Sequence, residues 1–378
     1  MRTRTLALAT LITATAAAAT HAAPPAPAKP AAKQPQIEVC FVLDTTGSMR
    51  GLIAGAKAKI WSIANQLVAA KPTPKLKIAL LAYRDRGDDY VTKIFDLSED
   101  IDAVYANLQT FQAEGGGDTP ESVNQALDEA VTKISWSPDR NVYKTIFLVG
   151  DCPPHMDYED DTPYTKSCQT AARKDIVINT VQVGDYRETT PIWKEIASLA
   201  EGSYVAIAQS GGVRVIATPF DEQIGKLNAE VGKTIVAYGD EEEKGAVRAK
   251  QAMAEKAPSA AAADRLAFNA ATGKVVQGGG DLVDAVNAGY IKVGELTKEQ
   301  LPAEMQSMSP AQREAYVKEQ ATKRAAVQKQ VAELLAKRRA YIEAEQKKAG
   351  PRDGFDVQVE SIIRVQAAKK GISFESTP

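Results

Sequence analysis

Two stretches of this chain, Ile37 to Leu43 and Thr145 to Gly150, are apolar at nearly every position; Glu38 is the main exception in the first. A strand wetted on one face alternates between apolar and polar residues, whereas a continuous run is covered on both faces and reads as a central strand of a parallel sheet. Such a sheet requires helices on both sides. The flanking sequence supplies them. Leu52, Ile53, Ala56, Ile60, Ile63 and Leu67 give helical spacing from Gly51 to Ala70, stopped by Lys71-Pro72. Strands are predicted over Leu76 to Tyr83 and Tyr90 to Phe95, an antiparallel pair because their connection is short, and over Val177 to Val183 and Tyr204 to Ala208. Helices are predicted over Ile101 to Phe111, Pro120 to Ile134, Ser167 to Lys174, Pro191 to Ala200 and Pro219 to Ala237. The expected fold is α/β, a doubly wound, mostly parallel sheet flanked by helices, over residues 37–238.

Chemistry gathers where the apolar runs stop. Asp44-Thr45-Thr46-Gly47-Ser48 follows the first run, Asp151 follows the second, and Gly117-Asp118-Thr119-Pro120-Glu121 precedes a predicted helix. Ligands in open α/β sheets collect at the carboxyl ends of the strands. Asp44, Thr46, Ser48, Thr119 and Asp151 offer two carboxylates and three hydroxyls with no His or Cys. That donor set suits Mg²⁺ first, with Mn²⁺ or Ca²⁺ as alternatives, and disfavours Zn²⁺. Two formal charges leave such a cation under-neutralised, so a carboxylate from a partner can complete its shell. Competing readings are local. Thr119-Pro120 also suits a helix N-cap with a first-turn proline. Gly115 to Gly117 lack the Gly-Lys-Ser/Thr continuation of a phosphate loop.

In this arrangement the chain resembles a von Willebrand factor A domain with its metal-ion-dependent adhesion site. Asp44, Thr46 and Ser48 match the family's D-x-S-x-S element, with Thr46 where serine is preferred; Thr119 matches its distant threonine and Asp151 its third-loop aspartate. Ala82-Tyr83-Arg84-Asp85, Phe95-Asp96-Leu97 and Asp151-Cys152-Pro153-Pro154-His155 resemble bacterial members, including A domains attached to atypical kinases. No Gly-rich loop with a following strand lysine marks a kinase lobe here. The resemblance implies a binding module that recognises an acidic residue on a protein partner.

Residues 1–22 read as a secretory signal peptide, with Arg2 and Arg4, an apolar Leu6 to Ala19 stretch too short for a good membrane span, and Thr20-His21-Ala22 as the cleavage site. Residues 23–36 form an Ala/Pro-rich linker. The expectation is a periplasmic or secreted protein without a transmembrane span. Lys and Arg number 46 against 48 Asp and Glu, a balance that implies no general affinity for nucleic acid.

The three cysteines are Cys40, Cys152 and Cys168. Cys40 falls inside the first strand and reads as core. In an oxidising compartment Cys152 and Cys168 can pair, closing a loop worth about 3 kcal/mol. His155, the one histidine beyond residue 22, leaves Cys152 and His155 as the sole thiol-hydrolase candidate, although no orienting third group is evident; otherwise it is a surface histidine ordering its loop. Asp157, Glu159, Asp160 and Asp161 read as a solvated acidic loop, with a second Ca²⁺ site as the alternative.

From residue 239 to 378 the composition becomes that of an α-helical region. Thr297 to Gln300 and Ser309 to Gln312 match capping boxes, the second with Pro310 at the first helical position, so Ser309 to Lys348 is predicted as one long helix. Its stripe of Val327, Val331, Leu334, Leu335, Tyr341 and Ile342 is short enough to favour packing on a neighbouring helix over a coiled coil. Excess Lys and Arg there allow a weak contact with an anionic surface. Phe355, Val359, Ile362 and Ile363 mark a last amphipathic helix. Against the leading reading of a metal-dependent binding module stand two alternatives: a metal-assisted or Cys152-dependent hydrolase, in which Asp118 or Glu121 would be the available base, and a structural envelope protein.

Overall fold

The computed structural model describes residues 34–117, 119–350 and 353–374. The expected signal peptide, most of the expected linker and Asp118 lie outside the described residues. A six-stranded sheet is built from β1 (Gln36–Asp44), β2 (Lys75–Tyr83), β3 (Thr92–Ser98), β4 (Tyr143–Gly150), β5 (Ile176–Val183) and β6 (Tyr204–Ile207) in the order β3-β2-β1-β4-β5-β6. All pairs are parallel except β2 with β3, which run antiparallel at one edge. The doubly wound α/β class expected from the continuous apolar runs is the fold observed.

Each central strand feeds two cores, as its period of two requires. Val39, Phe41 and Leu43 of β1 point into one, and Cys40 and Val42 into the other. The first core is covered by α1 (Arg50–Val68) and α2 (Ile101–Gln109), the second by α3 (Val123–Thr132), α4 (Tyr164–Arg173) and α5 (Thr189–Leu199). Two charges inside this framework have partners that explain them. Glu38 accepts from the Ser137 amide at 2.9 Å, and Lys144 Nζ donates to the carbonyls of Ser137 and Lys174 at 3.0 and 2.6 Å.

The helices beyond β6 are α6 (Asp221–Gly232), α7 (Glu241–Lys256), α8 (Ser259–Thr272), α9 (Leu282–Asn287), α10 (Pro310–Ala349) and α11 (Phe355–Ala368). From Gln34 onward the chain forms one compact unit. α8 lies against α1, where Phe268 meets Trp61 with ring centroids 5.6 Å apart. α10 carries the expected capping box, and its Val331 and Leu334 pack on Ile224 of α6 and on Ala263 and Leu266 of α8. α11 returns to the sheet. Its Phe355, Val359, Ile362 and Ile363 enter the first core, each contributing about 1.5–3 kcal/mol by burial. Tyr143 Oη donates to Gln366 Oε1 at 2.7 Å, and Gln366 Nε2 donates to Asn179 Oδ1 at 2.7 Å, which fixes the register of α11 on β4 and β5.

Three local expectations are corrected. α3 begins at Val123 rather than Pro120, so Thr119 is not its N-cap. Thr297 and Gln300 make only the return bond of a capping box, the Thr297 amide donating to Gln300 Oε1, and no α-helix starts there. Gln36, counted with the linker, is the first residue of β1. Among the described residues no helix is long and apolar enough to cross a membrane.

Candidate metal centre

The sheet grows from β1 toward β2 and β3 on one side, and from β4 toward β5 and β6 on the other, which makes the β1/β4 boundary its switch point. Leu43 pairs with Val149 across that boundary, so the chain leaves both strands side by side. Asp44 is the last residue of β1 and is fully buried. Its Oδ1 accepts from the Thr46 amide at 2.8 Å and from Thr46 Oγ1 at 2.7 Å, and Thr46 Oγ1 is 3.2 Å from Ser48 Oγ. Residues Gly47–Met49 make a single 3₁₀ turn into α1.

The second loop arrives through glycine. Gly115 and Gly116 both have φ of +76°, in the left-handed region that favours glycine. A Cβ on Gly116 would lie 3.1 Å from Thr46 Cβ, and the Gly47 amide donates to the Gly115 carbonyl at 3.1 Å. Thr119 lies further along this loop with its Oγ1 3.9 Å from Cys152 Sγ. The second and third loops are then tied by backbone: the Glu121 amide donates to the Pro153 carbonyl, and the His155 amide to the Glu121 carbonyl, both at 3.0 Å. Asp151 follows β4 and is 7 % exposed; Thr189 Oγ1 holds its carbonyl at 2.7 Å, and Gln209 Nε2 donates to its Oδ2 at 2.9 Å. Asp44, Thr46 and Asp151 are therefore buried, while Ser48 and Thr119 lie at the exposed rim.

Charge in this cluster is unbalanced. Asp44 Oδ2, Asp151 Oδ1 and Glu121 Oε2 are buried without a hydrogen-bond partner, as is the hydroxyl of Tyr83 at the end of β2. Burial, and then the Asp151 charge, push Asp44 up to about 7 against the pull of the Thr46 amide. Burial followed by the charges of Asp44, Asp85, Asp88 and Asp151 pushes Glu121 up to about 9. The Tyr83 phenol is raised well above its ordinary value by burial and by Asp44, Glu121 and Asp151.

The cysteine expectation is overturned. All three cysteines are free. Cys152 stands at the rim beside Thr119, whereas Cys168 is buried on α4 with its Sγ 3.7 Å from the Ile196 carbonyl of α5. Burial, and then the Asp151 charge, drive the Cys152 thiol upward, opposite to what a nucleophilic thiolate needs. His155 is not a surface residue. It is buried, its Nδ1 is 2.8 Å from Asp157 Oδ1, its Nε2 is 3.3 Å from Asp85 Oδ2, and its ring stacks on Tyr158 at 4.1 Å. In the acidic loop Asp157, Glu159 and Asp160 are exposed, as expected of a solvated loop, and Arg86 meets Asp160 and Asp161 at 2.9 and 2.8 Å.

Residues 38–219 match the family model of the von Willebrand factor A domain, from β1 to beyond β6. Over these residues the chain is similar to von Willebrand factor A domains. Among curated proteins, an ariadne-like RING finger protein of Acanthamoeba polyphaga mimivirus is 21% identical to it over 152 residues, 40% of this chain and 14% of that protein. The chain thus spans a small fraction of that relative's length. Similar solved structures include proximal thread matrix protein 1 from the mussel byssus, at 14% identity and a TM-score of 0.35 over 47% of this chain and 42% of that one. The same mussel protein with a zinc-occupied MIDAS motif gives 16%, 0.35, 46% and 42%. The SpRpn10 VWA domain gives 12%, 0.35, 46% and 88%.

The residues of this centre fit a divalent cation on their own chemistry. Two buried carboxylates each keep one oxygen without a hydrogen-bond partner, and the hydroxyls of Thr46 and Ser48 stand beside Asp44. Among the described residues no three His, Cys, Asp or Glu side chains gather as metal ligands. Tyr83, Glu121 and Gln209 were not among the five expected site residues. Glu121 could be suspected from its place beside Thr119; Gln209, alone after β6, carries no motif.

Proposed function

We propose that this A domain is a metal-dependent protein-binding module, in which Asp44, Thr46, Ser48, Thr119 and Asp151 hold a divalent cation and the cation receives a carboxylate from the partner. The observation that carries this reading is the pair of buried, unpartnered carboxylate oxygens, Asp44 Oδ2 and Asp151 Oδ1, at the switch point of the sheet. A buried carboxylate without a hydrogen bond or counter-charge is costly, and a divalent cation offsets that cost. Mg²⁺ and Mn²⁺ suit the oxygen donors best. The exposed rim of Ser48 and Thr119 leaves the cation open on the solvent side, where an incoming acid can displace water. The raised Cys152 thiol argues against a thiol enzyme, and the reading is of a binding protein without catalysis. Export by the N-terminal segment, to the periplasm or beyond, belongs to the same proposal.

Calorimetric titration with Mn²⁺ of the wild type beside Asp44→Ala tests it. One bound ion in the wild type and none in the variant is the expected result. With Mg²⁺ at a hundred times its Kd, the wild type should gain about 2.7 kcal/mol of stability that the variant does not gain. Equal metal response in both sinks the assignment.

A further inference from the structure

Gln209 reaches the metal centre from a fourth loop, the one after β6. Its Nε2 donates to Asp151 Oδ2 at 2.9 Å and to the Ser48 carbonyl at 3.2 Å. One amide group therefore links the loop that follows β4 to the loop that follows β1. The other oxygen of the same carboxylate, Asp151 Oδ1, is buried and has no partner. The amide reaches that far because nothing stands beneath it: Gly184, directly after β5, has φ of +76°, and a Cβ there would lie 2.1 Å from Gln209 Oε1.

We propose that Gln209 is a positioning residue of the cation site, whose side-chain amide fixes Asp151 through Oδ2 and so reserves Oδ1 for the cation. The inference rests on the cation-binding reading given above. A carboxylate ligand that rotates freely must lose that freedom when the ion arrives, whereas one already held by a donor does not. Gln is suited to the role, since its amide donates to a carboxylate and brings no charge to compete with the cation. The second bond, to the Ser48 carbonyl, holds the D-x-T-x-S turn at a fixed distance from Asp151, so both halves of the donor set are braced by one side chain.

The test uses the chain beginning at residue 23 and Mn²⁺ alone as probe, with binding followed by calorimetry and the bound ion by electron paramagnetic resonance. Gln209→Met keeps the length and bulk of the side chain and removes the donor; Gln209→Ala removes both. The expected result is a loss of Mn²⁺ affinity of about 10- to 100-fold in both variants, with an altered bound-ion spectrum and unchanged circular dichroism. Wild-type affinity and spectrum in Gln209→Met overturns the proposal, whether or not Gln209→Ala is weakened, because packing alone would then explain the residue. That outcome leaves the cation site intact, since the wild type still binds. Absence of Mn²⁺ binding by the wild type, matched by Asp44→Ala, overturns the cation reading and this inference with it.

Discussion

Several buried or half-buried carboxylates at the helix contacts are held by arginines. Arg265 donates from Nε and Nη2 to the two oxygens of Asp102 at 2.6 and 2.9 Å, tying α8 to α2. Arg338 of α10 meets Asp221 and Asp264, and Arg324 of α10 meets Asp281 and Asp284. At the carboxyl edge of the sheet the arrangement is the reverse. Asp44, Glu121 and Asp151 are buried to a similar degree, each keeps an unpartnered oxygen, and among the described residues no lysine or arginine pairs with them. In the first region the counter-charge is covalently part of the chain and the result is rigid helix packing. In the second the chain supplies none, and on the cation reading proposed above the counter-charge for Asp44 and Asp151 would come from solution.

The sharpest way to break this contrast is to remove one counter-charge. Arg324→Met strands Asp281 and Asp284 beside an apolar side chain and deprives Thr234 of two donors. A loss of about 3–5 kcal/mol in urea unfolding is expected. Asp44→Asn, in chelator, removes a buried acid that has no counter-charge while keeping the acceptor for Thr46; stability should stay level or rise by up to about 2 kcal/mol. Similar losses in both variants would erase the distinction between the two regions.

The meeting of Asp44 and Asp151 at one edge was legible because each directly follows a buried strand, and the sheet was legible because continuous apolar runs admit few alternatives. The pairing of Cys152 with Cys168 failed because compartment chemistry says nothing about where side chains point: one thiol faces the site and the other the α4/α5 contact. The burial of His155 was not legible for a related cause. Asp85, which faces its Nε2, lies in the β2/β3 connection about seventy residues away. Gln209 had no local pattern at all, and its role exists only once β6 is placed beside β5.

A second expected difference concerns pH. Asp44 is raised from 3.8 to about 7 and Glu121 from 4.5 to about 9. For an acid raised on folding, the stabilising contribution is fully present below its unfolded value and is lost as pH climbs through the folded one. The metal-free melting temperature should therefore decline between about pH 4 and pH 9. The gain on adding Mg²⁺ should grow over the same interval, because the cation competes with protons for Asp44. Scanning calorimetry with and without chelator at several pH values checks both trends. An Asp44→Asn profile that coincides with the wild type would remove Asp44 as their source.

The smallest effect is expected at Glu121, and it refines the contrast rather than testing its existence. With its carboxyl raised to about 9, Glu121 carries a proton at neutral pH in the metal-free site, so Glu121→Gln replaces one neutral group by another of nearly the same shape. At pH 7 the variant should differ from the wild type by less than about 1 kcal/mol in chelator. Above pH 9 the wild type must ionise a carboxyl whose Oε2 has no partner and which feels Asp44 and Asp151, and the variant should become the more stable of the two. Urea unfolding at pH 7 and pH 9.5 reads the crossover. A loss above about 2 kcal/mol at pH 7 would mean that Glu121 is ionised and held by a partner, which would move it to the class of the arginine-bound acids of the helices.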